Sequence, residues 1–314
     1  MSQATSSPAA PPLVYAPFIT ASGVDVFLAC PASAVLPRTH RERGTAAQAG
    51  TEEHAIRLLP GKLPPKILAW FGGRDPIFEA ALAVDCAAVD DGSPSLPQAK
   101  FLGQFIDRAY VVPGPRWWAG SADMLDITGD VVSVADLKTG QGQARGSLPA
   151  PDKSGQLLSL AWGAIVLRQL RARAEGGTWT PSRIRLAWWL TADAEDDIID
   201  AEISYDALML WVQTLCHKVR TATAKHMYRG PQCIGCGAFD SCPAQGGALR
   251  RVLAGVADLT AVPDDQIATI WQDIVAAHRI LDDAEAALKL RVERDGEVVL
   301  SDTHRLKMIR GTDT

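Results

Sequence analysis

Apolar and polar positions alternate along residues 117–139, and this pattern predicts two β-strands joined by a tight turn. The stretch WWAGSADMLDI is followed by Thr128-Gly129-Asp130, after which DVVSVADLKTG resumes the alternation. Glycine and aspartate between two alternating segments are typical of a β-hairpin. We therefore expect this region to fold as an antiparallel pair of strands.

The residues after this hairpin predict a helix, two strands and a second helix. Helical periodicity begins after Ser154, a favourable N-cap, and ends at Gly176-Gly177. Apolar stretches at 183–190 and 197–203 predict strands, and residues 205–226 predict a helix. A helix that connects the hairpin to a further strand indicates an α/β fold with a mixed central β-sheet flanked by helices.

The region before the hairpin is predicted to be mainly helical. Thr20 can cap a short helix within residues 20–36, and Pro31 can stop it. Four further assignments follow from composition and turn residues: a helix at 44–59, a loop at 60–76, an alanine-rich helix at 77–90 and the first strand region of the sheet at 101–112.

Shifts in composition divide the chain into three parts. Residues 1–14 are low in complexity and are predicted to be disordered, and residues 15–245 are predicted to form the main domain. Residues 246–314 are predicted to add a long helix at 262–294 and a hairpin at 297–309. This C-terminal extension could contact a protein partner, a second copy of the chain or DNA, or it could only stabilise the core.

Length and composition indicate a soluble cytoplasmic protein. The 314 residues are 47% hydrophobic and 21% charged, so the chain can bury a large core. We expect no membrane span and no secretory segment. The net charge of −5 is unusual for a DNA-binding protein, although basic side chains cluster near 38–43, 168–173 and 218–229. These clusters could line a groove or remain solvated.

Candidate catalytic residues lie on the predicted hairpin. Asp123 and Asp136 fall on neighbouring strands, where two carboxylates on one face can share a hard divalent cation. Lys138 is two residues beyond Asp136 and therefore shares its face. A Mg²⁺ or Mn²⁺ ion beside a lysine can activate water and stabilise the charge that develops in phosphodiester hydrolysis. The alternative is that Asp-x-Lys is a common tripeptide whose acids are merely solvated.

Two polar residues outside the hairpin could belong to the same site. Gln156 lies in the first turn of the predicted helix, where its amide can point back at the strand ends. His54 lies on a predicted helix before the strands, just after Gly50-Thr51. Because a lone histidine is more often structural than a ligand, the order of all these motifs carries more weight than any one of them.

The order His54, Asp123, Asp136-Leu137-Lys138, Gln156 resembles the RecB-type branch of the PD-(D/E)XK nuclease superfamily. The resemblance covers roughly residues 15–245 and implies a restriction-endonuclease-like core. It implies that Mg²⁺ or Mn²⁺ is bound by His54, Asp123 and Asp136 and faced by the Leu137 carbonyl.

The same resemblance assigns roles to the remaining motif residues. Lys138 would be the catalytic lysine and Gln156 an orienting group in the active site. The family has a tyrosine four positions after the glutamine, and this chain has Leu160 instead. That difference concerns a contact to DNA or to the catalytic residues, and it leaves the implied metal site unchanged.

Four of the six cysteines form a pattern that core packing does not produce. Cys233, Cys236 and Cys242 are close together in sequence, and Cys30 stands far upstream. In an intracellular protein such clusters usually bind a metal, so disulfides are the weaker interpretation. Four thiolates suit either zinc or an iron–sulfur cluster.

The cysteines bracket the nuclease motifs, an arrangement that resembles the iron–sulfur staple of the CRISPR-adaptation RecB-like exonucleases and of the AddAB helicase–nuclease. The resemblance implies a [4Fe–4S] cluster held by Cys30, Cys233, Cys236 and Cys242, with Zn²⁺ as the alternative. The two other cysteines, Cys86 and Cys216, are interpreted as ordinary buried thiols.

The favoured interpretation is a metal-dependent DNA exonuclease, which the resemblance implies acts on single-stranded DNA. One alternative is a catalytically weak DNA-binding or assembly subunit with a structural metal cluster, and another is a zinc-stabilised sequence-specific endonuclease. In the pairs Trp117-Trp118 and Trp188-Trp189, one ring of each is expected in the core, and the other could stack on a base. Polarity and biological pathway, whether recombination, repair or phage DNA processing, are not predicted.

Overall fold

The computed structural model describes residues 15–38, 52, 54–89, 96–104, 110–139, 148–191, 196–233, 236–239 and 241–244 and, with gaps, residues 270–307. The predicted disorder of residues 1–14 lies outside this set, as do most of the predicted helix at 44–59 and the first part of the predicted helix at 262–294.

The chain divides into two compact units. The first comprises residues 1–35 and 40–226 and contains the whole central sheet. The second comprises residues 36–39 and 227–314. The three late cysteines therefore belong to the second unit, whereas Cys30 belongs to the first.

A mixed seven-stranded sheet forms the centre of the first unit, which confirms the predicted α/β class. The strand order is β3-β2-β4-β5-β6-β7, and the short β1 pairs in parallel with β4. The β5–β6 pair is also parallel, and the other neighbours are antiparallel. The strands are β1 (Ile19–Thr20), β2 (Ile77–Asp85), β3 (Ala99–Gln104), β4 (Trp117–Thr128), β5 (Val131–Lys138), β6 (Arg183–Leu190) and β7 (Asp197–Ile203).

The helices whose bounds lie within the described residues of this unit are α1 (Val24–Ala29), α2 (Pro65–Trp70), α3 (Gly155–Ala174) and α4 (Tyr205–Thr221). The predicted hairpin is confirmed as β4 and β5, and Gly129 adopts a positive φ of 61° at its turn. The predicted crossover is confirmed as α3, whose N-cap Ser154 accepts a hydrogen bond from the Leu157 amide. Helix α4 begins where predicted and ends at Thr221.

The described residues 77–89 do not form the alanine-rich helix predicted for 77–90. They form β2 and a short 3₁₀ turn, Cys86–Ala88, because β2 lies between β3 and β4 and is buried along most of its length. Small alanine side chains fit a strand covered on both faces, and this tertiary packing overrides their helix propensity. Residues 101–112 were predicted to hold the first strand of the sheet. The strand found there, Ala99–Gln104, instead follows β2 along the chain and lies at the edge of the sheet.

The predicted loop at 60–76 was also wrong in part, because it contains α2. Pro65 occupies the first turn of this helix, a position where its fixed φ is compatible with helix formation. Ile67 and Trp70 then bury their side chains in a small apolar cluster with Leu58 and Trp189. Burial of these side chains decides the structure of a segment that its prolines and glycines had marked as irregular.

The sheet carries an apolar cluster on each face. The larger cluster joins α3 and α4 to alternate sheet residues such as Val134 and Leu186. The smaller cluster joins α2 to the intervening residues, among them Leu137 and Trp189. Consecutive residues of β5 thus face opposite sides, as strand geometry requires.

The second unit confirms the predicted C-terminal hairpin. Strand β8 (Glu297–Val299) pairs in antiparallel fashion with β9 (Arg305–Lys307). The residues described between 270 and 292 are helical, which agrees with the predicted helix there. Within the described parts of the chain, none of the helices combines the length and the apolar character needed to cross a bilayer.

Candidate active site

Three side chains of the first unit converge into a group that could hold a metal ion. One potential ligand atom each from His54, Glu79 and Asp123 lies within 4.8 Å of the others. The His54 Nδ1 atom is 3.5 Å from Asp123 Oδ2 and 3.8 Å from Glu79 Oε1. Both acids are buried, and Asp123 is fully so. The structure therefore brings together two predicted ligands and adds a third residue.

The His54 ring is oriented by the main chain of β5. Residues 54–57 are helical, and the Leu58 amide donates to the His54 carbonyl. The His54 Nε2 atom lies 3.1 Å from the Leu137 carbonyl oxygen, which can only accept. In the neutral ring Nε2 therefore carries the proton, and the Nδ1 lone pair faces the two carboxylates. The Leu137 carbonyl, predicted to face the metal, is directed at its histidine.

Glu79 occupies a point where β2 departs from regular strand geometry. Its φ of 48° lies in the left-handed region that non-glycine residues rarely adopt. The β2–β4 register pairs Phe78 with Met124 and Ala80 with Ala122, so Glu79 and Asp123 occupy the step between these pairs. Phe78 belongs to the smaller apolar cluster and Ala80 to the larger one. This change of face brings the two carboxylates side by side.

Sequence reasoning missed Glu79 because its segment was assigned to a helix. The signal that could have found it is an acid inside an apolar run, since Glu79 is the one charged residue between Ile77 and Val84. A buried carboxylate needs a partner, and Glu79 has one in the Ser121 hydroxyl, which donates to Oε2 at 3.1 Å.

Asp123 is held by the same residue that orients His54. The Leu137 amide donates to Asp123 Oδ2 at 2.8 Å. A single residue of β5 thus contacts both Asp123 and His54 through main-chain atoms. This arrangement fixes the spacing of two candidate ligands with the rigidity of the sheet.

Asp136, Lys138 and Gln156 form a second, closed network on β5 and the start of α3. The Lys138 ammonium is 2.6 Å from Asp136 Oδ2 and donates to Gln156 Oε1 at 3.2 Å. The Gln156 amide donates in turn to Asp136 Oδ1 at 2.5 Å. Lys138 also lies 4.8 Å from the ring centre of Trp188. The predictions that Lys138 shares the face of Asp136 and that Gln156 points back at the strands are confirmed.

The two networks are linked through β5, because the main chain of Leu137 contacts His54 and Asp123 and Leu137 is the residue between Asp136 and Lys138. Asp136 itself is not a member of the group formed by His54, Glu79 and Asp123. Its assignment as a metal ligand stays a prediction.

The N terminus of α3, which carries Gln156, is fixed by two side chains. Ser154 caps the helix, and Asp25 on α1 accepts from the Gly155 amide at 2.9 Å. A β-carbon at position 155 would lie 2.4 Å from Asp25 Oδ1, so this close approach requires glycine. One turn further on, Leu160 is fully buried in the larger apolar cluster.

The chemistry of the donor set fits a divalent cation. A cation placed among two buried carboxylates and an imidazole would offset the negative charge of the acids in this buried setting. Carboxylate oxygens are the ligands that Mg²⁺ and Mn²⁺ prefer, and one imidazole is compatible with Mn²⁺. The identity of the metal stays open between these ions.

The candidate cluster cysteines lie in different local settings. Cys30 is buried at the C-terminal end of α1. In the second unit, the amides of Cys236, Phe239 and Cys242 each donate to the carbonyl three residues before. Cys233 and Cys236 pack against the buried Phe239 ring. None of the six cysteines forms a disulfide bond, and the iron–sulfur assignment stays a prediction.

Cys86 and Cys216 are confirmed as buried thiols. Both are fully buried in the larger apolar cluster. Burial raises the pKa of the Cys86 thiol well above its ordinary value, and the neighbouring Cys216 raises it further. A thiol with a raised pKa is a poor nucleophile and a poor metal ligand at neutral pH.

The expectation that one tryptophan of each pair could stack on a base was not met. Trp117, Trp118, Trp188 and Trp189 are all buried, so none of them can stack on a base as the structure stands. Several basic side chains have partners within the protein: Arg168 and Arg171 pair with Glu175, Lys218 donates to the Leu28 carbonyl and Arg220 to the Val89 carbonyl. Some of the basic residues therefore stabilise the fold.

Comparison with protein-family models and with curated proteins finds no match for this chain. The functional argument therefore rests on the residues of the site itself.

Proposed function

We propose that this protein is a metal-dependent nuclease of the RecB type that hydrolyses DNA phosphodiester bonds as an exonuclease in the cytoplasm of a bacterial or phage-infected cell. The observation that carries the proposal is that Leu137 connects two polar networks. The first network consists of His54, Glu79 and Asp123, and the second of Asp136, Lys138 and Gln156. Single-stranded DNA is the favoured substrate because the motif order resembles that of nucleases acting on free strands.

In this proposal each residue has a defined task. His54, Glu79 and Asp123 would hold Mg²⁺ or Mn²⁺, with Asp136 as the fourth candidate ligand. The bound ion would supply charge neutralisation and a more acidic water. Lys138 would stabilise the negative charge that develops on the scissile phosphate, and Gln156 would hold Lys138 and Asp136 in position.

The decisive experiment is cleavage of end-labelled single-stranded and duplex DNA with Mn²⁺ by the wild-type protein and by K138A. Stepwise shortening by the wild type is expected, and its rate should fall at least about 100-fold in K138A because a charge that stabilises the transition state is removed. The label that is lost first reveals the polarity.

The matched control is K153A. Lys153 lies in a short 3₁₀ turn just before α3, and its exposed ammonium pairs with Asp152. Its loss should leave cleavage unchanged. If folded wild-type protein and K138A leave DNA equally intact with Mn²⁺ and with Mg²⁺, the nuclease proposal fails.

That outcome would favour the second candidate, a DNA-binding or assembly subunit with a weakened site. This candidate is supported by Leu160, which occupies the position, four residues after Gln156, where the RecB-type family has a tyrosine. DNA binding without metal-dependent turnover would identify this function.

We also propose that Cys30, Cys233, Cys236 and Cys242 bind a [4Fe–4S] cluster, a proposal that rests on the sequence pattern. Anaerobically purified protein should then absorb at about 400 nm and contain iron and sulfide, whereas C233S should lose the absorbance, the iron and the sulfide. Zinc without that absorbance would support the alternative of a zinc site.

A further inference from the structure

The turn that carries His54 is attached to the sheet by a polar contact outside the candidate metal site. Arg57, one helical turn from His54, donates from Nη1 to Asp196 Oδ1 at 3.1 Å. The indole of Trp189 donates to the same oxygen at 2.8 Å. Residues three apart on a helix lie on neighbouring positions of its surface, so a contact at Arg57 restrains the rotation of His54.

The partners of this contact connect directly to the strand that orients His54. Trp189 on β6 is paired in register with Leu137 on β5 and is fully buried beside it. The guanidinium of Arg57 also lies 6.0 Å from the Trp189 ring centre. Asp196 therefore bonds both to the helical turn and to the part of the sheet whose main chain contacts the imidazole.

The contact is suited to positioning because it is partly shielded from water. The Arg57 and Asp196 side chains retain 34% and 26% of their exposure. A charge-assisted hydrogen bond in such a setting is stronger than a fully exposed ion pair. The described residues 52 and 54–57 are helical, so a contact at Arg57 lies on the same helix as His54 and helps to fix the orientation of its imidazole.

We infer that Asp196 is a positioning residue that sets the affinity of the metal site by anchoring the His54 turn through Arg57. The inference rests on the proposed metal site and adds a residue that touches neither the ion nor a ligand. Groups that orient a metal ligand typically change affinity by about 10- to 100-fold when they are removed. Asp196 acts through one intermediate residue, so an effect near the lower end is expected.

The test compares Mn²⁺ binding by wild type, D196N and D197N, measured by the electron paramagnetic resonance signal of unbound Mn²⁺. Asparagine keeps an acceptor oxygen for the Trp189 indole and removes the charge that binds Arg57, so D196N should remain folded. The Kd for Mn²⁺ should rise roughly tenfold. Cleavage should recover at saturating Mn²⁺, because kcat depends on groups that remain in place.

D197N is a matched control on the adjacent residue of the same segment. Asp197 pairs at 2.9 Å with Lys66 of α2. Its Kd should equal that of the wild type. R57Q should weaken Mn²⁺ binding at least as much as D196N, and the double variant should be no weaker than R57Q, because both changes remove the Arg57–Asp196 contact.

Three outcomes would overturn the inference. Equal Mn²⁺ affinity of D196N and wild type would show that the contact does not position His54. Equal weakening in D196N and D197N would show a general effect on this part of the fold. Absence of Mn²⁺ binding by the wild type would refute the proposed metal site as well, and this result is distinct from the first two.

Discussion

Glu79 combines an acid, burial and a rare backbone conformation in one residue. Its left-handed φ and its place in the interrupted β2–β4 register bring its carboxylate next to that of Asp123. Such strain persists where the surrounding structure over-determines it, and it concentrates at functional sites. The strand is thus locally distorted at the point where the candidate ligands meet.

This distortion gives a stability prediction for two variants that both lack the carboxylate. E79G should be more stable than E79A by about 1 kcal/mol, because glycine adopts a positive φ without strain whereas alanine does not. The free energy of unfolding in urea measures the difference. If E79A is at least as stable as E79G, the backbone at this position is not strained. Both variants should bind Mn²⁺ more weakly than the wild type.

A second residue-scale prediction concerns Leu160. Because its side chain is fully buried, with Cδ2 only 3.3 Å from where a β-carbon on Gly120 would lie, tyrosine should not fit. L160Y should lower the free energy of unfolding by about 1–3 kcal/mol and should not raise cleavage. The control is L210Y at an exposed position of α4, which should be nearly neutral. Increased cleavage by a stable L160Y would show that the site lacks a tyrosine.

Helix α3 is the element that links the N-terminal segment to the lysine network. Asp25 accepts from the Gly155 amide, next to Gln156, at the end of the helix where unpaired amides carry partial positive charge. Removal of this contact should therefore affect both stability and the position of Gln156.

D25A should destabilise the protein by about 1 kcal/mol, and D25N should not, because asparagine can still accept from Gly155. Loss of solvent around the Asp25 carboxyl raises its pKa despite the Gly155 hydrogen bond. A raised native pKa means that the ionised acid lowers stability, so this effect appears as the pH rises above the unfolded value of 3.8.

D25N should therefore be slightly more stable than wild type near neutral pH, and the difference should vanish below about pH 4. The effect should be small, because Asp25 remains exposed on one side. Urea unfolding at several pH values measures it. If D25N lowers the free energy of unfolding as much as D25A does, the charge rather than the hydrogen bond holds the helix terminus.

The elements differ in how far the sequence predicts them. The β4–β5 hairpin and α3 were predictable because alternation, turn residues and an N-cap all agreed. Strand β2 was not predictable, because its alanines locally favour a helix and only its pairing with the two flanking strands makes it a strand. The same error hid Glu79. The contact between Lys138 and Asp136 followed from strand periodicity, whereas the approach of His54 depends on contacts far apart in sequence, such as that with Leu137.

At the scale of the whole molecule, metal binding should contribute to folding stability. An ion that binds the native state and not the unfolded chain stabilises it by about 2.7 kcal/mol at a concentration 100 times its Kd. Mn²⁺ should therefore raise the melting temperature of the wild-type protein, and a chelator should reverse the shift.

H54A should lose this shift, whereas H217A should keep it, because His217 is exposed on α4. Differential scanning fluorimetry across a Mn²⁺ series provides the measurement. An equal shift in both variants would place the stabilising ion elsewhere in the protein.

The role of Leu137 has a consequence for how such a site changes over evolution. Its amide contacts Asp123 and its carbonyl contacts His54, so both bonds are made by atoms that almost every amino acid possesses. Isoleucine, valine or methionine at this position would preserve them, and only proline would remove the amide donor. Position 137 can therefore vary among apolar residues while the geometry of the site is inherited, and side-chain identity there would not reveal its importance.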